Sequence, residues 1–332
     1  MKERVIKQRF GAAVLGLGKI GQGFDYDRSD DSVVATHASA YARHPGYELL
    51  AGVDPDPVQR NRFEEKFRLP AYPDIRSLME HHSPDIFSVA SPSEQHLSVF
   101  LEVVEHKPLA IICEKPIAVT GQDGRRMQLL AEQNRCALLV NYMRRFEPGS
   151  MEVERMVHSN EMGGVFKGVA WYSKGLLNNG SHFIDLLRYW LGEVTAVEVM
   201  SEGRKWSGLD PEPDICLHFN ETPVYLLAGR EELFSVGKID LFCTKGTVSY
   251  ADFGNLIELR KTCESPFFEG YTILGPDVVR VKTDLKRYQM HVLEGLYRHL
   301  TLGEELNSDG RSATATLDVI ERVRDQLDKG AP

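Results

Sequence analysis

His182 opens a run in which Phe183, Ile184, Leu186, Leu187, Trp190 and Leu191 recur at helical spacing, so it stands at the expected start of an amphipathic helix. A helix N-terminus disfavours imidazolium, which keeps the ring neutral and able to accept a proton. Asp185, three residues on, shares that face. There it can orient the ring, touch a substrate or merely complement the dipole. Lys115 follows an apolar run and precedes Pro116, whose ring restricts the lysine backbone and makes a cis bond accessible. A neutral imidazole and an ammonium together suit the removal of a proton from a hydroxyl group whose oxygen is held in place.

A second motif supplies the partner such chemistry needs. Gly16-Leu17-Gly18-Lys19-Ile20-Gly21 follows the apolar run Ala12–Leu15, and glycines at this spacing let a backbone turn tightly, approach a pyrophosphate and pack a helix closely. A further strand-like run, Tyr47–Val53, ends directly in Asp54, an acid placed to accept from adenosine ribose hydroxyls. Together they predict a nicotinamide dinucleotide, the acceptor of the hydride left when a hydroxyl carbon is oxidised. An acid at position 54, with no arginine after it before Arg60, favours NAD(H) over NADP(H). Asp54 lies 33 positions beyond Gly21, where about 20 is usual. The polar stretch Gln22–Ala35, with Asp25, Asp27, Asp30 and Asp31, therefore reads as an insertion. It is a solvated loop or a flap over the bound molecules.

Positioning these residues requires two domains, which 332 residues accommodate. Residues 1–143 alternate short apolar runs with amphipathic stretches. Strands are expected near Ala12–Leu15, Glu48–Val53, Asp85–Ala90, Leu109–Cys113 and Ala137–Asn141, and helices near Thr36–Arg43, Pro57–Phe67, Ile75–His81, Ser93–His106 and Gln122–Gln133, with Ser93 as a cap. That alternation is a parallel, doubly wound Rossmann sheet. Residues 144–332 read as an α+β domain with a mostly antiparallel open sheet, one face covered, closed by helices near Asp284–Leu302 and Arg311–Leu327.

Composition excludes several classes of function. The net charge of −9 and the scattered basic residues leave no electrostatic footprint for nucleic acid. The basic stretch Met1–Phe10 leads into a run too short and glycine-rich for a signal peptide or membrane span, so a cytoplasmic protein is expected. Cys113, Cys136, Cys216, Cys243 and Cys263 are odd in number, widely spaced and without a CxxC pair, which predicts reduced thiols and no metal site.

Gly16–Gly21, Val53-Asp54-Pro55-Asp56, the segment Ala90 to His96, Glu114-Lys115-Pro116, Asn141-Tyr142 with Arg144-Arg145-Phe146, and the segment Gly180 to Asp185 span nearly the whole chain. In that combination the sequence resembles the glucose–fructose oxidoreductase / inositol dehydrogenase (Gfo/Idh/MocA) family. The resemblance implies a Rossmann domain joined to an open-sheet domain. It implies oxidation or reduction of a sugar, polyol or nucleotide-sugar, and homodimers or homotetramers assembled through the second sheet. Gly16, Gly18, Lys19, Ile20, Gly21, Asp54, Ser91, Pro92, His96, Glu114 and Lys115 would line the cofactor. Lys115 would touch the nicotinamide ribose and the reacting hydroxyl, and His182 would take the proton. His96 carries no chemistry and either nears the cofactor or ends a turn. Arg144, Arg145, Tyr172, Lys174 and Arg188 lie close to these motifs and could hold phosphate or carboxylate, although structural ion pairs are the commoner fate of such cations.

One position departs from the pattern. Many members carry aspartate four residues before the histidine, where this chain has Asn178, so Asn178→Asp is expected to oxidise substrate as fast or faster. Two other readings stand beside the dehydrogenase. One keeps the cofactor bound and uses transient oxidation for epimerisation or glycoside cleavage; the other is a cofactor-sensing regulatory protein with weak chemistry.

Overall fold

Four-residue apolar runs become strands in the first half of the chain because a parallel sheet is covered on both faces and has no polar side to alternate with. The computed structural model describes residues 9–28, 30, 32–208 and 210–330; Asp31 and most of the basic N-terminal stretch lie outside these. Strands β1 (Phe10–Leu15), β2 (Tyr47–Val53), β3 (Ala71–Tyr72), β4 (Ile86–Val89), β5 (Ala110–Cys113) and β6 (Ala137–Val140) form one parallel sheet in the order β3-β2-β1-β4-β5-β6. Helices α1 (His37–Arg43), α2 (Pro57–Phe67), α3 (Ile75–Met79), α4 (His96–Val104) and α5 (Gly121–Gln133) connect them. Four of these helices begin at side-chain caps, namely Thr36, Asp56, Asp74 and Thr120. Ser93 is not a cap; it opens a short 3₁₀ turn, Ser93–Gln95, ahead of α4. The two-residue β3 is too short for a periodicity signal.

The sheet's hydrogen bonding continues one residue past five of its six strands. Gly16 N donates to Val53 O, Asp54 N to Tyr72 O, Ala90 N to Leu15 O, Glu114 N to Val89 O and Asn141 N to Cys113 O. These five residues therefore form a row along the carboxyl edge. The strand order reverses between β1 and β4, the place where open parallel sheets take ligands.

Beyond α6 (Pro148–His158) lie β7 (Val165–Tyr172), α7 (Ser181–Leu191), β8 (Ala196–Trp206), β9 (Asp210–Phe219), β10 (Thr222–Ala228), β11 (Lys238–Cys243), β12 (Gly246–Ala251), β13 (Leu256–Glu264), β14 (Thr272–Leu274) and β15 (Val279–Val281), then α8 (Tyr288–Leu302) and α9 (Gly310–Asp328). The second sheet runs β14-β13-β12-β11-β7-β10-β9-β8, with β15 also on β13, and is antiparallel except at β7 and β10. One face is buried by Val153 and Met156 of α6, Ile184, Leu187 and Trp190 of α7 and Ile320 and Val323 of α9. Phe166, Trp171 and Phe242 are exposed on the same sheet.

The chain divides into two compact units, residues 1–146 with 286–315, and residues 147–285 with 316–332. The sequence pattern places all of 144–332 in the second domain, so α8 and the first residues of α9 are a correction. The reason is burial: Val292, Leu293 and Leu296 of α8 join a core with Phe10, Tyr41 and Tyr47, and the Tyr47 hydroxyl donates to Leu293 O. Pattern along a chain shows that a helix has an apolar face but not which core receives it.

Candidate active site

In the first unit the three motif glycines do different work. Gly16 has φ 96°, and a Cβ there would stand 2.7 Å from the Ala90 carbonyl and Ser91 N. A Cβ at Gly21 would collide with the Gly16 carbonyl oxygen. At Gly18 it would meet nothing within 4 Å, and both Gly18 and Lys19 are exposed. The tight turn and the close packing are thus internal demands, whereas the open backbone at Gly18 is room for a ligand.

Asp54 is built into this turn. Its Oδ2 accepts from Leu17 N at 2.8 Å and its Oδ1 from Asp56 N at 2.9 Å. A carboxylate has about four acceptor sites, so capacity remains for a ribose diol. Arg60 donates to the Asp54 and Pro55 carbonyls at 2.8 Å each. Ser91 adds a buried hydroxyl with no hydrogen-bond partner among the described residues. A dinucleotide fits this set: Gly18 and Lys19 would face the pyrophosphate and Asp54 the adenosine ribose.

The glycines lead into a single π turn, Lys19–Gly23, after which the insertion departs. Asp25 brings it back. This buried carboxylate accepts from Ala35 N at 2.8 Å, Thr36 N at 3.2 Å, Thr36 Oγ1 at 2.7 Å and Ser39 Oγ at 2.8 Å, fixing the start of α1. Lys66 of α2 donates to Asp25 O at 2.7 Å, Tyr26 donates to Arg62 O, and the Arg62 guanidinium lies 4.2 Å from the Tyr26 ring centre. Asp27 and Asp30 are exposed, as a solvated loop requires, but the insertion as a whole is pinned to α2. Asp25→Ala would strand several buried donors, and the unfolding free energy in urea should fall by about 3 kcal/mol or more. Asp27→Ala should change it by less than about 0.5 kcal/mol; similar losses for both would contradict this account.

A closed ring of side chains surrounds Glu114. His37 Nε2 lies 2.9 Å from Glu114 Oε1, and Asn141 Nδ2 donates to the same oxygen at 2.6 Å. Asn141 Nδ2 also donates to Gln289 Oε1 at 3.1 Å, and Gln289 Nε2 reaches His37 Nδ1 at 2.9 Å. His37, Asn141 and Gln289 are all buried. Burial pushes the Glu114 carboxyl up, but the hydrogen bonds of His37 and Asn141 and the Lys115 charge outweigh it and hold Glu114 below the usual carboxylate range. The Lys115–Pro116 bond is cis. His96 is a brace: its Nδ1 is 2.9 Å from Pro116 O and its Nε2 3.0 Å from Ser91 O, in a buried position. Sequence pattern does not single out His37, although a histidine among the small residues of α1 was the available signal. Gln289 had none.

In the second unit, α7 starts at Ser181 with His182 next, as the spacing predicts, but the turn that precedes it was not expected. A π turn over Gly175–Gly180 runs into α7, because Gly180 itself has helical angles, φ −55° and ψ −35°. The first free amides therefore lie a turn and a half earlier, and carboxylates of β9 cap them. Glu212 accepts from Gly175 N at 3.1 Å, and Asp210 accepts from Leu177 N and Asn178 N at 2.9 Å each. His182 is 8% exposed.

Asp185 is buried, accepts from Thr316 Oγ1 at 3.0 Å and lies 3.9 Å from Arg188. Arg188 in turn forks onto Glu193 at 2.6 and 2.8 Å. Asp185 and Arg188 thus have structural partners. The exposed Asn178 donates from Nδ2 to Lys174 O at 2.9 Å. An aspartate there could not donate and would place a second carboxylate near Asp210, so Asn178→Asp should cost stability at this turn whatever it does to the oxidation rate.

The other cations and Tyr172 disperse. Tyr172 is fully buried with its hydroxyl on Pro213 O at 2.8 Å, so it belongs to the core and not to a substrate pocket. Lys174, with φ 69°, is half-exposed and 3.7 Å from Glu231. Arg144 and Arg145 are buried, and Arg145 exchanges hydrogen bonds with Asn307. Among the described residues no group of His, Cys, Asp or Glu could hold a metal ion, and no helix is long and apolar enough to cross a membrane.

Residues 10–142 match the model of an oxidoreductase family with an NAD-binding Rossmann fold. The chain is 25% identical over 158 residues to the rhizopine catabolism protein MocA of Rhizobium meliloti, covering 48% of this chain and 45% of that one. It is 25% identical over 212 residues to D-glucoside 3-dehydrogenase of Escherichia coli, covering 58% and 57%. The chain thus spans about half the length of the curated relatives it matches. Its fold matches that of the WlbA dehydrogenase of Bordetella pertussis, solved with NADH and UDP-GlcNAcA, with TM-score 0.78 at 16% identity over 98% of this chain and 97% of that one. An oxidoreductase of Desulfitobacterium hafniense, described as putatively NADPH-dependent, matches with TM-score 0.80 at 18% identity over 97% and 96%.

Proposed function

We propose that the chain is a Gfo/Idh/MocA oxidoreductase, the family whose NAD-binding model its residues 10–142 match, and that it is an NAD(H)-dependent dehydrogenase of a sugar, polyol or nucleotide-sugar. The observation that carries the reading is the row at the carboxyl edge, where Gly16, Asp54, Ala90 and Glu114 follow neighbouring strands and Lys115 comes next to Glu114. NAD would supply the hydride acceptor. Lys115 donates a hydrogen bond to the reacting oxygen, and His182 takes the hydroxyl proton. NAD rather than NADP is supported by Asp54, whose charge opposes a 2′-phosphate. The substrate class is supported by the activities of the relatives, D-glucoside 3-dehydrogenase and inositol 2-dehydrogenase among them. Self-association through the second sheet is part of the same proposal, supported by the exposed Phe166, Trp171 and Phe242.

A panel of sugars, polyols and nucleotide-sugars with NAD tests it, read by absorbance of the reduced dinucleotide. At least one compound should give net reduction. Product without reduction would replace this reading with a retained-cofactor reaction, and tight dinucleotide binding with no turnover would leave a sensor.

A further inference from the structure

We propose that His37 is a positioning residue for Lys115: by donating to Glu114 it holds a carboxylate beside the lysine, so that Lys115 is presented as a charged hydrogen-bond donor. The proposal rests on the role given to Lys115 above. The ring admits one arrangement of donors. Gln289 Oε1 accepts from Asn141, so its amide nitrogen faces His37 Nδ1, which must then accept. The proton of a neutral His37 is therefore on Nε2, aimed at Glu114 Oε1. Four elements meet here, with His37 on α1, Glu114 after β5, Asn141 after β6 and Gln289 on α8, so no member can reorient without breaking another bond.

Among the described residues, the titratable or charged groups acting on or responding to Glu114 include His37, Lys115, Cys113 and Tyr288. Of these, His37 gives the largest opposition to burial at Glu114. Without it, burial drives the carboxyl toward its neutral form, and a neutral neighbour no longer favours the ammonium at Lys115. The sign for stability follows. Glu114 is held low in the folded chain, so its contribution is complete above the ordinary carboxylate value and is lost as pH falls through the native one. Losing the His37 bond moves that acid loss to higher pH.

His37→Asn and His37→Gln, made in the full chain, separate the two bonds of the ring. Asparagine places its amide where Nδ1 stands and falls short of Glu114, whereas glutamine reaches the position of Nε2. With no dinucleotide or substrate present, Lys115 is acetylated with acetic anhydride across a pH series and the modified peptide quantified by mass spectrometry. Half-labelling should occur at lower pH in His37→Asn than in wild type, and His37→Gln should restore it. With a substrate from the panel, kcat should fall about tenfold or more in His37→Asn and recover to within about threefold in His37→Gln, with dinucleotide affinity unchanged. Should His37→Asn not fold, Glu114→Gln, which keeps shape and removes charge, must show the same labelling shift. An unmoved Lys115 midpoint, or equal kcat losses in both His37 variants, overturns the proposal. A wild type silent across the panel, with the labelling shift present, sinks the dehydrogenase reading and leaves the link from His37 to Lys115 standing.

Discussion

Replacing Lys115 with methionine is expected to lower kcat by about a thousandfold while leaving dinucleotide affinity within about threefold. Methionine keeps the unbranched length and removes the ammonium, so it tests the donor and not the packing. Removing a single donor aimed at a developing oxyanion costs other enzymes about 10² to 10³ in rate, about 3 to 4 kcal/mol of barrier. Dinucleotide affinity should be spared because the groups that would hold the adenosine end, Gly18 and Asp54, sit after β1 and β2, whereas Lys115 sits after β5. Initial-rate kinetics with the best panel substrate and calorimetry with NAD give the two numbers. A loss of less than about tenfold in kcat would remove Lys115 from the reaction.

The second large effect separates two glycines three residues apart. Gly21→Ala puts a methyl group onto the Gly16 carbonyl oxygen. That neighbour is backbone, so the turn itself must open, and the unfolding free energy should drop by about 3 kcal/mol with dinucleotide binding lost. Gly18→Ala meets no atom of the described residues within 4 Å, and its φ of −70° is one that alanine adopts, with ψ of −153° a short rotation from the extended range. Stability should therefore stay within about 0.5 kcal/mol, yet dinucleotide affinity should fall about tenfold or more, because the added methyl occupies the space a pyrophosphate needs. Urea denaturation and calorimetry on both variants read the contrast. A Gly18→Ala protein that binds NAD normally would place the dinucleotide elsewhere.

The insertion shows why part of the site was hidden. Gln22–Ala35 is polar and acidic in composition, which is what a solvated loop looks like. Of its described aspartates, Asp25 is buried and ties the chain back to Thr36 and Ser39, while Asp27 and Asp30 face solvent. Nothing local distinguishes them, because the donors that select Asp25 come from residues ten to fourteen positions away. The π turn before His182 was equally invisible. Its start is set by Asp210 and Glu212 of β9, more than thirty residues on, and Gly175 and Gly180 alone do not announce it.

What sequence alone determined was whatever depends on neighbours along the chain. Apolar runs predicted five of the six strands of the parallel sheet, and the spacing of Gly16, Gly18 and Gly21 with Asp54 at a strand end predicted the turn that Asp54 now closes onto Leu17. The parallel sheet then required that the residues after its strands share one edge, so Glu114 and Lys115 were legible as residues of that edge before any contact was known. Tertiary structure decided the rest: that α8 completes the first core, that Tyr172 and Asp185 serve packing and internal pairing, and that His37 and Gln289 meet across 252 positions to hold Glu114. A buried polar side chain is placed by the one partner that satisfies it, and that partner is fixed by how the chain folds back, which no local pattern records.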